Sequence, residues 1–484
     1  MNVAYGDLLR AFLPETCLVA GALLVLAVDL ATGRRRARPE RMATAAVVGA
    51  IAVLAAALGT LAMGTSGAAF GGVLVLDSLS VATRLGVLLL AFLTLLLVGP
   101  LVRLPHPAEY VAVLLFATAG LTMMAAAQQL LLAFVALELA SLSLYILAGF
   151  DKSRPDSAEA ALKYFLFGGI SAAFLLFGFS LIYGLTGSIE LPEIARTLAT
   201  QPPGPLLAVA LVMVLVAFGY KAAAAPFHLW APDVYQGAPP SSAALIASAS
   251  KLAGFTLFVR LLWGGLAAPP GVPSWGAVAA ILAAVSLLLG NVAALAQTNL
   301  RRLLAYSAIS HAGALLLGVI VAGRAGPGPL FYYAATYGIA TVGAFGVIAV
   351  LDRAGGCQTI ADLAGLHRRS PLLAGCLAVF VLSLAGIPPL AGFFGKFVVF
   401  AEALRAGGLA GAPGWLALLA IAMSAVALYY YLQILKQALV APASPIASRL
   451  AVPATAAAAL VAAALLLLGL GLYPSVLLRL FVSG

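Results

Sequence analysis

The sequence predicts an all-α polytopic membrane protein of about fourteen transmembrane helices, and three observations lead there. Of its 484 residues 64% are apolar and 9% are charged, whereas an average soluble domain is about 45–50% apolar and about 25% charged. The mean hydropathy of +1.12 excludes a water-soluble globule, a disordered chain, a coiled coil and a secreted disulfide scaffold. The apolar runs also have the right length, because a bilayer core about 30 Å thick needs about 20 apolar residues per helix. With short loops that is roughly 35 residues per crossing.

The first run, 8–31, has no basic leader beyond Arg10, contains Pro14 and Glu15, and lacks a persuasive cleavage site. It reads as a retained helix rather than a signal peptide. Runs 43–63, 76–100, 107–126, 128–149 and 157–185 follow. The seventh, 203–236, is too long for a plain span and holds Pro226 deep inside. Spans 239–265, 275–297, 302–323 and 328–351 come next. The twelfth, 371–405, is again long and holds Pro388 and Pro389. Proline removes a helix hydrogen bond and clashes with the preceding turn, so spans 7 and 12 are read as discontinuous helices. Spans 413–437 and 452–478 close the chain, and no linker divides the whole into separate domains.

The net charge of +10 comes from 26 basic and 16 acidic residues, but no soluble module presents them to nucleic acid. Loop charge instead sets orientation. With the first loop cytoplasmic, that side carries Arg34, Arg35, Arg36, Arg38, Arg41, Arg103, Lys152, Arg154, Arg301, Arg302, Arg353, Arg368, Arg369, Lys436 and Arg449. The opposite side carries Arg10, Arg196, Arg260, Arg324, Arg405 and Arg479. This bias predicts both termini outside. Cys17, Cys357 and Cys376 lie far apart with no C-x-x-C, so neither a disulfide framework nor a cysteine metal site is indicated.

The chemistry sits in the few charges left inside the spans. Of six lysines, Lys163, Lys221, Lys251 and Lys396 fall within them, and a lysine at mid-bilayer costs about 2.5–3.5 kcal/mol even on a lenient scale. Burial favours neutral lysine while a neighbouring carboxylate favours the ammonium form, so a movable carboxylate can load and release a proton. Glu138 is mid-helix among apolar residues and needs a partner, for which Lys163 is the candidate. Glu159 lies four residues before Lys163 in the favourable order, and the pair also reads as an interfacial salt bridge. His228 follows the Pro226 break, where it can relay protons or cap helix carbonyls. His311, with Ser307, Ser310 and Gly313 nearby, suits a relay or packing. Lys221 precedes one break and Lys396 follows the other, and the broken helices sit five spans apart, a pattern that points to a transport path between two inverted halves.

Arg84 and Asp77 read as interfacial or interhelical. Asp233, Asp151, Asp156 and Glu109 read as solvated, and Tyr429, Tyr430 and Tyr431 as packing or belt contacts. Asp352, Asp362, Arg368 and Arg369 read as a cytoplasmic loop. There is no P-loop, dinucleotide fingerprint, cluster-binding cysteine set or paired-histidine haem pattern. Any redox chemistry that powers the chain belongs to another subunit.

The stretches 138–150 (ELASLSLYILAGF), 158–169 (AEAALKYFLFGG) and 225–239 (APFHLWAPDVYQGAP) resemble the antiporter-like membrane subunits of respiratory complex I, as do 249–255 (ASKLAGF), 301–313 (RRLLAYSAISHAG) and 385–400 (AGIPPLAGFFGKFVVF). The wording of 161–165 and 233–237 favours the N-type branch. The resemblance covers nearly the whole chain and is weakest in the first three spans and the last. It implies a single antiporter-like domain with N-terminal helices (1–106), two inverted five-helix repeats (107–265 and 275–437) and a C-terminal helix (452–484). It further implies that Glu138 modulates the pump lysine Lys221 with Lys163 as its ion-pair partner. Lys251 then passes protons along a central axis, His228 and His311 connect it, and Lys396 is terminal. FMN, iron–sulfur clusters and quinone are expected in partner subunits, with none bound by this chain. An M-type subunit and small K/J-type subunits are the expected neighbours in a bacterial inner membrane. The rival reading is a subunit of a multisubunit sodium/proton antiporter, and a scaffold with fossil charges is a third.

Overall fold

The apolar runs become helices nearly where the sequence places them. A computed structural model describes residues 9–32, 36–101, 104–200, 204–266, 275–409, 411–442 and 449–481. Arg34, Arg35 and Arg103, counted above as loop charges, lie outside them. Among the described residues thirteen helices are long and apolar enough to cross a membrane. The chain opens with α1 (Leu13–Thr32), α2 (Arg38–Met63) and α3 (Ser78–Leu101). A hairpin of β1 (Gly67–Ala69) and β2 (Leu74–Leu76) joins α2 to α3, with Gly67 opposite Leu76. Next come α4 (Pro107–Ala126), α5 (Leu130–Ala148), α6 (Pro155–Thr186), the short α7 (Leu191–Thr200), α8 (Pro205–Ala222) and α9 (Trp230–Gly237). The eighth span is α10 (Pro240–Ala247) and α11 (Ala249–Val259), ending in a π turn over Arg260–Gly265. The second half contains α12 (Trp275–Leu295), α13 (Leu300–Ala325), α14 (Gly328–Arg353) and the one-turn α15 (Leu366–Arg369). It continues with α16 (Pro371–Ala385), α17 (Ala391–Gly407), α18 (Ala412–Leu439), α19 (Ala454–Leu472) and the one-turn α20 (Ser475–Leu478).

Both proline-bearing spans are broken. Helix α8 stops where Ala223 turns left-handed at φ 57°, its N–H bonding back to Tyr220. That conformation costs an L-residue roughly 1–2 kcal/mol. The freed backbone is satisfied from elsewhere, since the Ala225 N–H donates to Ser286 Oγ at 2.8 Å. Helix α16 stops at Gly386, φ 87°, which glycine adopts without that penalty. Helix α17 resumes at Ala391, five residues later. The eighth span, expected to be continuous, is interrupted too: Ser248, at φ −113° and ψ −80°, separates α10 from α11.

Two elements had no signal in the hydropathy reading. The hairpin strands are three residues each, too short to establish a period of two. Helix α7 is polar outside and buries only Leu191, Ile194 and Leu198, one stripe of a ten-residue helix.

The spans differ in how much lipid they can meet. In α10–α11 and in α14 the whole apolar core window is buried, whereas only a third is buried in α6. A helix apolar on every side belongs inside, and these two spans form the centre. Close approach is set by small residues, and one contact recurs. A Cβ on Gly120 of α4 would strike the backbone of Ala136 and Ala140 on α5, and one on Gly290 of α12 would strike that of Tyr306 and Ser310 on α13. All three positions shift by the same 170 residues (120 to 290, 136 to 306, 140 to 310). The helix starts agree: Gln129 bridges to Glu190 and Asn299 bridges to Thr359.

Candidate functional site

A line of buried basic side chains runs through this centre from one broken helix to the other. Lys221 sits in the last turn of α8, just before the break, 6% exposed. Its ammonium donates to Ser141 Oγ on α5 at 3.2 Å. One turn earlier on α5 is Glu138, whose Oε1 is buried without a hydrogen-bond partner while its charge acts on Lys221. Lys221 and Lys251 both line one small cavity of about 10 Å³, closed by Phe218, Ala222, Gly254, Phe255 and Phe258. That is room for about one water.

Lys251 lies in the first turn of α11, 2% exposed, where the Ser248 interruption lets the helix present it to α13. Its Nζ donates to the Ala308 carbonyl at 2.5 Å and stands 5.6 Å from the centre of the Tyr337 ring. Ala308 is one turn before His311 on the same helix. His311 Nδ1 is 2.7 Å from Tyr333 Oη, and its Nε2 is 3.2 Å from Tyr431 Oη. The charges of both Lys251 and Lys396 reach the imidazole. Lys396, on α17, donates to the Ala385 carbonyl at 3.1 Å. It places a cation at the negative C-terminal end of α16, where the helix dipole favours one.

The structure therefore brings Glu138, Lys221, Lys251, His311 and Lys396 into one region, and it leaves two candidates aside. Lys163 does not pair with Glu138. It is held by Glu159 at 2.6 Å and Asp233 at 2.5 Å, and its side chain is 37% exposed. The reason is reach: Glu159 is one turn away on α6, and Asp233 comes in from α9. The salt-bridge reading of Glu159 and Lys163 is the one realised here. His228 is buried in the first break with its Nδ1 lacking a partner, and no hydrogen bond among the described residues ties it to the lysine line.

Several residues act that sequence reading set aside. Asp233, read as solvated, joins both halves of the molecule by accepting from Lys163 and from Arg302 at 2.6 Å. Asp156, Glu159, Gln236 and Arg302 share with it a polar recess of about 170 Å³. Of the tyrosine triplet only Tyr429 faces outward. Tyr431 bonds Ser307 and His311, and Tyr430 donates to Asn291 Oδ1 at 3.0 Å. The available signal was a hydroxyl one helix away from Ser307 and His311, which hydropathy does not register. Arg84 is fully buried and lies 3.0 Å from Glu15, so the interhelical reading holds for it. Arg260, counted as a loop charge, is buried in the π turn and donates to Asp77 at 2.5 and 3.1 Å. The halves also do not match residue for residue. The 170-residue offset sets Glu138 opposite Ala308 and Ser141 opposite His311, so Glu138 and His311 are not counterparts.

Residues 127–426 match the family model described as NADH:quinone oxidoreductase/Mrp antiporter, TM. The chain is 48% identical over 493 residues to NADH-quinone oxidoreductase subunit N 2 of Acidobacterium capsulatum, covering 99% of each. It is 37% identical to subunit N of Trichlorobacter lovleyi, covering 97% of this chain and 96% of that one. A chain of respiratory complex I from Thermus thermophilus with bound aureothin superposes with a TM-score of 0.80 at 37% identity, covering 96% of this chain and 98% of that chain. The Mrp complex from a Dietzia species shares the fold at 24% identity and a TM-score of 0.82, covering 97% and 96%. On these grounds, and with a buried lysine line inside a frame that has thirteen membrane-length apolar helices among the described residues, the chain belongs to the subunit N family of NADH-quinone oxidoreductase.

Proposed function

We propose that this chain is a proton-translocating membrane-arm subunit of an NADH:quinone oxidoreductase, carrying protons outward along Lys221, Lys251, His311 and Lys396. The observation that carries the reading is the water-sized cavity shared by Lys221 and Lys251, because a single water is enough to pass a proton between two amines. Two ammonium groups facing so small a space repel strongly at low dielectric, so a proton held on one favours release from the other. Glu138 sets the direction. Its approach to Lys221 stabilises the charged form, and its withdrawal lets the proton go on to Lys251. From there the Ala308 carbonyl holds the amine beside the helix that carries His311, and Tyr333 and Tyr431 orient the imidazole between Lys251 and Lys396. His228, in the break before α9, is the proposed entry relay, and Asp233, further along α9, lines the polar recess with Arg302 and also holds Lys163.

Each charge moved against a membrane potential needs about 2.3 kcal/mol per 100 mV, which the chain does not generate itself. Electron transfer from NADH to quinone, with FMN and iron–sulfur clusters, belongs to partner subunits in this reading. The neighbouring membrane subunits, an M-type antiporter-like chain and small K/J-type chains, transmit it to Glu138. The excess of basic residues on the side of the first loop supports both termini on the outer side of a bacterial inner membrane. The repeated glycine contacts and helix-start bridges support two five-helix units, 107–265 and 275–437.

The test is proton pumping by the intact complex in liposomes, with NADH:quinone turnover measured alongside. Lys221→Ala and Lys396→Ala are each expected to lower the protons moved per electron pair while the complex assembles normally. Undiminished pumping in both variants overturns the assignment. Sodium-dependent proton exchange without NADH would favour the antiporter reading instead.

A further inference from the structure

Far from the lysine line, an apolar groove of about 500 Å³ runs along α2 and α3 and has one charged end. Helix α3 packs against both α2 and α19, so it forms the floor between them. Ala43, Val47, Ala50, Ile51 and Leu54 repeat at helical spacing along one face of α2. They leave Val47 at 59% and Ile51 at 61% exposed. Phe92, Leu95 and Leu96 of α3 face them across the groove. Among the described residues, the one ionisable group lining the groove is Arg353, the last residue of α14. It meets Pro39 in the first turn of α2 and Thr455 in the first turn of α19. Those first turns carry backbone N–H groups without intrahelical acceptors and the positive ends of two helix dipoles.

Dimensions decide what fits. From Pro39 to Leu54 is roughly 22 Å at about 1.5 Å per residue. Half of a bilayer about 40–45 Å thick with its headgroups is roughly the same. The groove is therefore one leaflet deep, apolar along its length and cationic at the level of the headgroups. We infer that it is a retained-lipid site for a single phospholipid, with an acyl chain laid along α2 and α3 and an anionic headgroup phosphate held at Arg353. A quinone tail would share the apolar trough without needing the cation, and a neighbouring subunit's helix would need a broader face.

The test uses the whole complex purified from its membranes in mild detergent, with native mass spectrometry and analysis of the extracted phospholipid. Ile51→Trp fills the trough from an exposed position and leaves the core intact, while Arg353→Gln removes the charge. The expected result is one fewer phospholipid per complex in Ile51→Trp, and a several-fold loss of anionic over zwitterionic lipid in Arg353→Gln. Equal lipid content and class in the wild type and both variants overturns the site. So does efficient cross-linking from Ile51→Cys to another protein chain, which would assign the groove to a subunit contact.

Discussion

Lysine and glutamate at these depths are held by unequal partners, and that inequality makes each one testable. Glu15 and Arg84 form a buried pair in which Glu15 Oε2 and Arg84 Nη1 lack hydrogen bonds, while Arg84 Nε donates to the Thr122 carbonyl. Removing one partner of such a pair strands the other charge at roughly 3–5 kcal/mol. Glu15→Gln is therefore expected to lower the thermal stability of the purified complex more than any exposed substitution on α1. Asp77 differs because it lies outside the spans and is partly exposed. Burial alone would raise its carboxyl, but the hydrogen bonds and charge of Arg260, with Ser80, outweigh it and hold the group below the usual carboxylate range. A depressed folded value means the pair's stabilisation is present above the unfolded value of about 3.9 and is lost as pH falls through the folded one. The stability difference between wild type and Asp77→Asn should thus stay constant from pH 8 to about 5 and shrink only below about 4. At the recess, Asp233→Asn removes the shared carboxylate, leaving Lys163 to Glu159 and Arg302 to Gln236. Proton uptake from the side on which α9 ends is expected to change several-fold in stopped-flow measurements, with quinone reduction retained.

Between helices, the same architecture carries different chemistry in its two halves. The positions of Glu138 and Ser141 on α5 correspond to Ala308 and His311 on α13, and all four serve the lysines. Ser141 accepts from Lys221 and the Ala308 carbonyl from Lys251. Each helix thus offers two polar stations, a carboxylate and a hydroxyl on α5 and a backbone carbonyl and an imidazole on α13. The glycine contacts keep those stations in place. Gly120→Ala and Gly290→Ala should each cost about 1–3 kcal/mol by overpacking, with similar magnitude because the geometry is shared. Thermal unfolding of the two variants measures it. Much of this frame was legible in the sequence, since length and hydropathy locate the crossings and Pro226, Pro388 and Pro389 mark the two breaks. The break at Ser248 was not, because no proline or glycine marks it and tertiary packing around Lys251 imposes it. The Glu159–Lys163 pair was legible from its i,i+4 spacing, but the second partner, Asp233, was not, because it reaches Lys163 from α9, 70 residues along the chain.

For the molecule as a whole, orientation is the first quantity to measure. Reporter fusions at both ends should show both termini on the outer face; both ends inside would reverse the direction of transport in the proposal, and one end inside would rule out an even number of crossings. The two central spans, buried on all sides, have a second consequence, for the order of synthesis. Helix α11 is made before α13, and the carbonyl that accepts from Lys251 comes 57 residues later. At about 5–20 residues per second the ammonium waits for several seconds in a half-built bundle, beside α3, α4 and α8 but without its acceptor. A chain truncated after residue 265 should accordingly be cleared by membrane proteases, and one extended to residue 325 should persist longer. The residue at the centre of the proposed pump is therefore also the one that most needs the second half of the polypeptide to arrive.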